Sequence, residues 1–168
     1  MGVVRVIAAA AMLATAPVLT APTAAAEYEQ YAPNGTYYVV SNGEWARTND
    51  RYQDEPSVRS TWTVNTTCTS AFTCAGKVTS SLGWTEDIYK TNDSWYVKHY
   101  VSDWIPCPDG TRGPGLQVYR FYSADEEGMK TDNTDLYVGE DQTTGESGAC
   151  GRNKSVVLTL PVKISRIA

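Results

Sequence analysis

Gly145-Glu146-Ser147-Gly148 sets a serine between glycines, a spacing at which a turn can expose a nucleophilic hydroxyl. Acyl transfer through such a serine needs a base to take its proton and a third group to orient that base. The only histidine, His99, stands in the alternating run Trp95-Tyr96-Val97-Lys98-His99-Tyr100-Val101, the pattern of a strand rather than of a catalytic loop. A glycine-bearing turn beside Cys150 explains the surroundings of Ser147. No nucleophile, base and orienter assemble, and catalysis is not expected. Asp125, Glu126 and Glu127 supply carboxylates, but adjacent residues of one solvated loop do not face each other across a substrate. Asp132-Asn133-Thr134-Asp135 offers oxygen donors for calcium without the glycine or distal glutamate of an EF-hand loop. Four irregularly spaced cysteines without a CxxC make a poor zinc set beside one histidine. Neither a metal nor a cofactor is expected.

Binding chemistry has better candidates. Thr61 to Cys107 carries four of the five tryptophans and three of the four cysteines, together with His99. Trp62 and Trp95 alternate with small or polar neighbours and read as core. Trp84 and Trp104 fall near strand ends, where a ring can line the mouth of a cavity. With His99 they are the residues expected to contact a small apolar or sugar-like ligand.

The elements that must position these residues read as strands. Thr61–Thr67, Gly76–Ser81, Trp84–Tyr89 and Ser94–Val101 alternate or are rich in β-branched and aromatic residues. So do Gly35–Ser41, Leu116–Tyr122, Leu136–Glu140 and Ser155–Ile164. Asn42-Gly43 is the strongest short hairpin signal, with Glu44–Thr48 as the return strand. Pro106–Gly115 is dense in turn formers, Ser123–Asp135 is an acidic loop or short exposed helix, and Asp141–Asn153 reads as a long polar connection. Pro161 faces away from the apolar side of the last strand and suggests an edge or a bulge. No segment carries a sustained helical stripe. The expected fold is all-β: an antiparallel meander of about eight strands closed into a barrel of lipocalin-like size, with a β-sandwich as the alternative.

Composition places the chain. Arg5, the apolar run Val6–Leu19 and Ala24-Ala25-Ala26 form a secretory leader cut after Ala26, which leaves residues 27–168 as a single domain. Beyond the leader there is no apolar stretch long enough to span a membrane. The chain has 14 basic and 19 acidic residues, and the leader removes one of the basic ones, so its surface repels phosphate backbones and nucleic-acid binding is not expected. An even cysteine count in an exported chain reads as two disulfides. A short hairpin loop favours Cys68 with Cys74, leaving Cys107 to reach Cys150.

Several motifs in order resemble small secreted proteins of mycobacteria and related actinobacteria. They are the alanine-rich leader, Gly35-Thr36-Tyr37, Trp62-Thr63-Val64 leading to Cys68, and Cys74-Ala75-Gly76-Lys77-Val78-Thr79-Ser80-Ser81. Gly83-Trp84, Trp95 and Cys107-Pro108-Asp109-Gly110-Thr111 extend the likeness over most of the chain after the leader. The resemblance implies an exported protein and carries over no catalytic residue. The expectation is a monomeric, non-enzymatic protein, secreted or held in the cell envelope, that binds a small apolar or glycan ligand. A protein-interaction module at the envelope or a host surface is the alternative.

Overall fold

The computed structural model describes residues 28–151 and 153–167. The leader expected over residues 1–26 and its cleavage site lie outside them. Ten strands form in chain order: β1 (Gly35–Ser41), β2 (Arg47–Thr48), β3 (Arg51–Tyr52), β4 (Val58–Ser70), β5 (Thr73–Ser80), β6 (Thr85–Thr91), β7 (Ser94–Pro106), β8 (Arg112–Ser123), β9 (Leu136–Gly145) and β10 (Val157–Arg166). All pairings are antiparallel. The order β1-β4-β5-β6-β7-β8-β9-β10 closes on itself through β1 with β10, which makes an eight-stranded barrel rather than a sandwich. The short β2–β3 hairpin attaches to β10 outside the closure. Closure removes the open edges that an acidic, tyrosine-rich sheet would otherwise present to other chains.

Alternation explains the lumen. Tyr37, Val39, Trp62, Val64, Val78, Ile88, Trp95, Val97, Tyr119, Phe121, Tyr137, Val162 and Ile164 point inward and are buried. Trp62 sits at the centre, completely buried, edge-on to Tyr119 at 4.8 Å between ring centroids and tilted against Phe121 at 6.2 Å. Edge-to-face packing of this kind adds to the area term for such large rings. A 3-10 turn at Glu29–Tyr31 brings Tyr28 and Tyr31 against one end of the core. Both disulfides pair as expected, Cys68–Cys74 across the β4–β5 hairpin and Cys107–Cys150 between the β7–β8 turn and the β9–β10 connection.

Three expectations need correction. Asn42-Gly43 does not turn a hairpin: Asn42 caps a 3-10 turn at Gly43–Trp45 by accepting from the Glu44 amide, and β2 pairs with β10 instead of β1. Gly43 is required there because a Cβ would stand 1.8 Å from the Glu55 carbonyl oxygen. The tight hairpin falls at Asn49-Asp50, whose φ angles of 49° and 66° suit a type I′ turn. Second, β7 continues through Trp104 to Pro106 and β8 begins at Arg112, so the turn between them shrinks to Cys107–Thr111. Third, β9 does not stop at Glu140 but runs to Gly145. Pro161 is tolerated on outward-facing geometry: its carbonyl accepts from Asn42, so its missing N–H lies on the side where β1 has already ended.

Candidate functional site

Trp84, Trp104 and His99 all lie at the end of the barrel held by Cys107–Cys150. His99 on β7 places Nδ1 3.1 Å from Glu86 Oε1 on β6. A carboxylate only accepts, so Nδ1 carries the proton. The Trp84 ring, from the β5–β6 turn, stacks on His99 at 4.8 Å and 20°, and meets Trp62 edge-on at 5.6 Å. Trp104 lies across Gly115 and Gly145, the inward positions of β8 and β9 at this end. A Cβ on Gly115 would come within 2.8 Å of its ring, and one on Gly145 within 3.1 Å. Each of the three rings therefore has protein partners of its own: Trp84 and His99 have each other, and Trp104 has the two glycines.

Beneath them sits a group that the sequence did not suggest. Asp141, 1% exposed, points into the lumen from β9. Its carboxylate accepts from the Ser41 hydroxyl at 2.6 Å and the Gln117 amide at 2.8 Å, and the Tyr119 hydroxyl adds a further bond. Burial raises the Asp141 pKa above the usual carboxylate range, against the smaller opposing pull of these hydrogen bonds. Burial likewise raises Tyr119 well above an ordinary phenol. Among the described residues, the voids found inside the wall are far smaller than a substrate. A void of about 10 Å3 lies among Tyr37, Trp62, Phe121 and Tyr137, and one of about 20 Å3 beside Cys150 and Gly145.

Ser147 lies on the exposed β9–β10 connection, where its hydroxyl donates to the Asn153 carbonyl at 2.8 Å, while His99 is engaged by Glu86. The acidic stretch after β8 forms turns: Asp125 accepts from the Met129 amide, and Asn133 accepts from the Asp135 amide.

The open volume is on the outside of the wall. A groove of about 770 Å3 runs over β8, β9, β10 and β1. Strand register fixes its floor: Tyr122 is opposite Val138, Val138 opposite Lys163, and Lys163 opposite Val40. The next row is Arg120, Glu140 and Pro161. Lys130, from the β8–β9 loop, leans over the Tyr122 ring at 5.4 Å and stands 3.9 Å from Asp93. Glu140 is paired with Arg47 at 3.5 Å. A second hollow of about 260 Å3 adjoins the groove and shares Tyr122 and Lys130 with it. Lys90 borders this hollow and donates to the Ala71 carbonyl at 2.7 Å; burial lowers its pKa below that of an ordinary lysine. The floor is aromatic and aliphatic, from Tyr122, Val138 and Val40, and Arg120, Lys130, Glu140 and Lys163 add charge around it.

No family model matches the sequence, and no curated protein matches it either. Among solved structures the chain is similar to the monomer form of the PknI sensor domain of M. tuberculosis, with a TM-score of 0.58. The likeness covers 89% of this chain and 91% of that one at 16% identity. At that identity the two share a fold.

Proposed function

We propose that the protein is an exported, non-enzymatic binding domain that works outside the cytoplasmic membrane and recognises a glycan of the cell envelope on its outer wall. The observation that carries this reading is the contrast in space: about 10 Å3 in the core of the lumen against about 770 Å3 in the groove over β8, β9, β10 and β1. An apolar ligand needs a dry enclosure of its own size, whereas a saccharide needs an aromatic floor and hydrogen-bonding walls. Two disulfides and a leader of residues 1–26 fit an oxidising compartment, with residues 27–168 as one domain. A fold shared with a protein named as a sensor domain agrees with binding rather than turnover. On this reading Trp84, Trp104 and His99 close the barrel and would meet a ligand only if that end opened.

Calorimetric titration of a panel of neutral and charged oligosaccharides tests the assignment. Tyr122→Ala is expected to weaken the best binder roughly tenfold by removing the aromatic floor, while Trp84→Phe leaves affinity unchanged. Loss of binding with Trp84→Phe alone, or no binding by any oligosaccharide, would overturn it.

A second reading has one observation in its favour. Next to the groove, across Arg120 from it, Tyr89 and Tyr96 stack at 5.5 Å, and farther along β7 and β8 Tyr100 and Leu116 are 55% and 43% exposed. Such a patch suits a protein partner.

A further inference from the structure

We infer that the groove and the hollow beside it form one track for an acidic polysaccharide, with Arg120 and Lys163 meeting its carboxylates; this rests on the glycan reading above. The two spaces share Tyr122 and Lys130, so a single path runs from Lys163 to Lys90. Four cations line that path, Lys163, Arg120, Lys130 and Lys90, on a chain whose net charge is −5. Of the three carboxylates that line the path, Glu140 pairs with Arg47 and Asp93 with Lys130, while Asp132 stands at the Lys90 end, away from Arg120 and Lys163. Among the described residues no carboxylate oxygen lies within 4.0 Å of the Arg120 or Lys163 head groups. Both residues are exposed, and both point from the outer face of the wall where the apolar floor lies between them.

Spacing selects a polymer over a small anion. Arg120 and Lys163 are two inter-strand steps and two residues apart, roughly 12 Å at their backbones. Donors for one phosphate or one carboxylate converge on a point; these are strung out along a surface, with Val138 of β9 between them and Tyr122 two residues along β8 from Arg120. A chain bearing repeated carboxylates can reach both cations and lay a sugar ring on the tyrosine. The surrounding acidic surface opposes any polyanion whose charge density exceeds what the track can neutralise, which disfavours a nucleic acid.

Three probes separate the possibilities by calorimetry in low salt: polygalacturonate fragments, dextran of matched length and a single-stranded oligonucleotide. Polygalacturonate is expected to bind at least tenfold more tightly than dextran and to weaken as salt is raised. The double variant Arg120→Gln/Lys163→Gln should lose roughly tenfold or more for polygalacturonate, the scale of lost charge-assisted hydrogen bonds. Lys77→Gln, outside the groove, should change nothing, and matching thermal melts would show that both variants fold. If dextran binds as well as polygalacturonate and the double variant is indifferent, glycan binding stands and selection for acid groups is wrong. If no saccharide binds, both readings fall. Tighter binding of the oligonucleotide, with the same dependence on Arg120 and Lys163, would make the track a nucleic-acid surface and overturn the polysaccharide assignment.

Discussion

Replacing Cys107 and Cys150 together by serine is expected to lower stability by about 4 kcal/mol, against about 2 kcal/mol for the same change at Cys68 and Cys74. The inequality follows from what each bond denies the unfolded chain. Cys107–Cys150 closes a loop with a sequence separation of 43, whereas Cys68–Cys74 spans 6. Chain entropy released on cutting a loop grows with the logarithm of its length, so the longer bond contributes more. It also ties the β7–β8 turn to the kinked segment Ala149–Gly151, where Cys150 takes a φ of 57°. For a domain of this size the larger loss corresponds to roughly 12 °C in Tm. Urea unfolding of the oxidised wild type and the two double-serine variants measures both values. Equal losses, or a larger one at Cys68 and Cys74, would show that native-state packing at the hairpin outweighs the entropy of the loops.

Removing the buried acceptor should come next in size. Asp141→Ala leaves the Ser41 hydroxyl, the Gln117 amide and the Tyr119 hydroxyl without their shared partner in a dry site, at about 3 kcal/mol. The pH dependence separates this from mere loss of volume. Unfolded aspartate titrates at about 3.9, and burial raises the folded pKa above that. Between the two values the native chain holds a proton that the unfolded chain has released, so stability falls as pH rises through this window and levels off above the folded pKa. Asp141→Asn has no proton to lose. Its stability relative to wild type should therefore improve as pH is raised from about 4 toward neutral, measured by urea unfolding across the range. A difference that stays flat with pH would mean that Asp141 titrates alike in both states.

Strands with large apolar residues at every second position were legible in the sequence. Trp62, Val64, Trp95, Val97 and Leu160, Val162, Ile164 announce their inward faces without ambiguity. The second half of β9, beyond Glu140, was not, because the inward positions after Tyr137 are Gly139, Asp141, Thr143 and Gly145, small or polar residues that look like a loop until the lumen they fill is known. Thr143 and Gly145 are small where Trp104 crosses the end of the barrel, a long-range reason that no local pattern contains. Asn42-Gly43 misled for a related cause: its close approach to Glu55, not its turn preference, decides its conformation. Both disulfide pairings followed from loop length and elimination.

The candidate site divides the same way. Trp84 and Trp104 read as residues near strand ends and His99 as one inside a strand, yet whether such rings enclose a space or fill it depends on the partners they meet across the barrel. The outer groove drew no signal at all. Val40, Tyr122, Val138 and Lys163 are far apart in the chain and adjacent only through register, and each alone reads as an ordinary outward residue of a strand.

Amide and indole NMR of the protein with a bound oligosaccharide tests most directly where recognition happens. Binding on the outer wall predicts shifts in the amides of Arg120, Tyr122, Val138 and Lys163 with the indole signals of Trp84 and Trp104 unmoved. Shifted indoles with silent groove amides would put the ligand inside the barrel and contradict it.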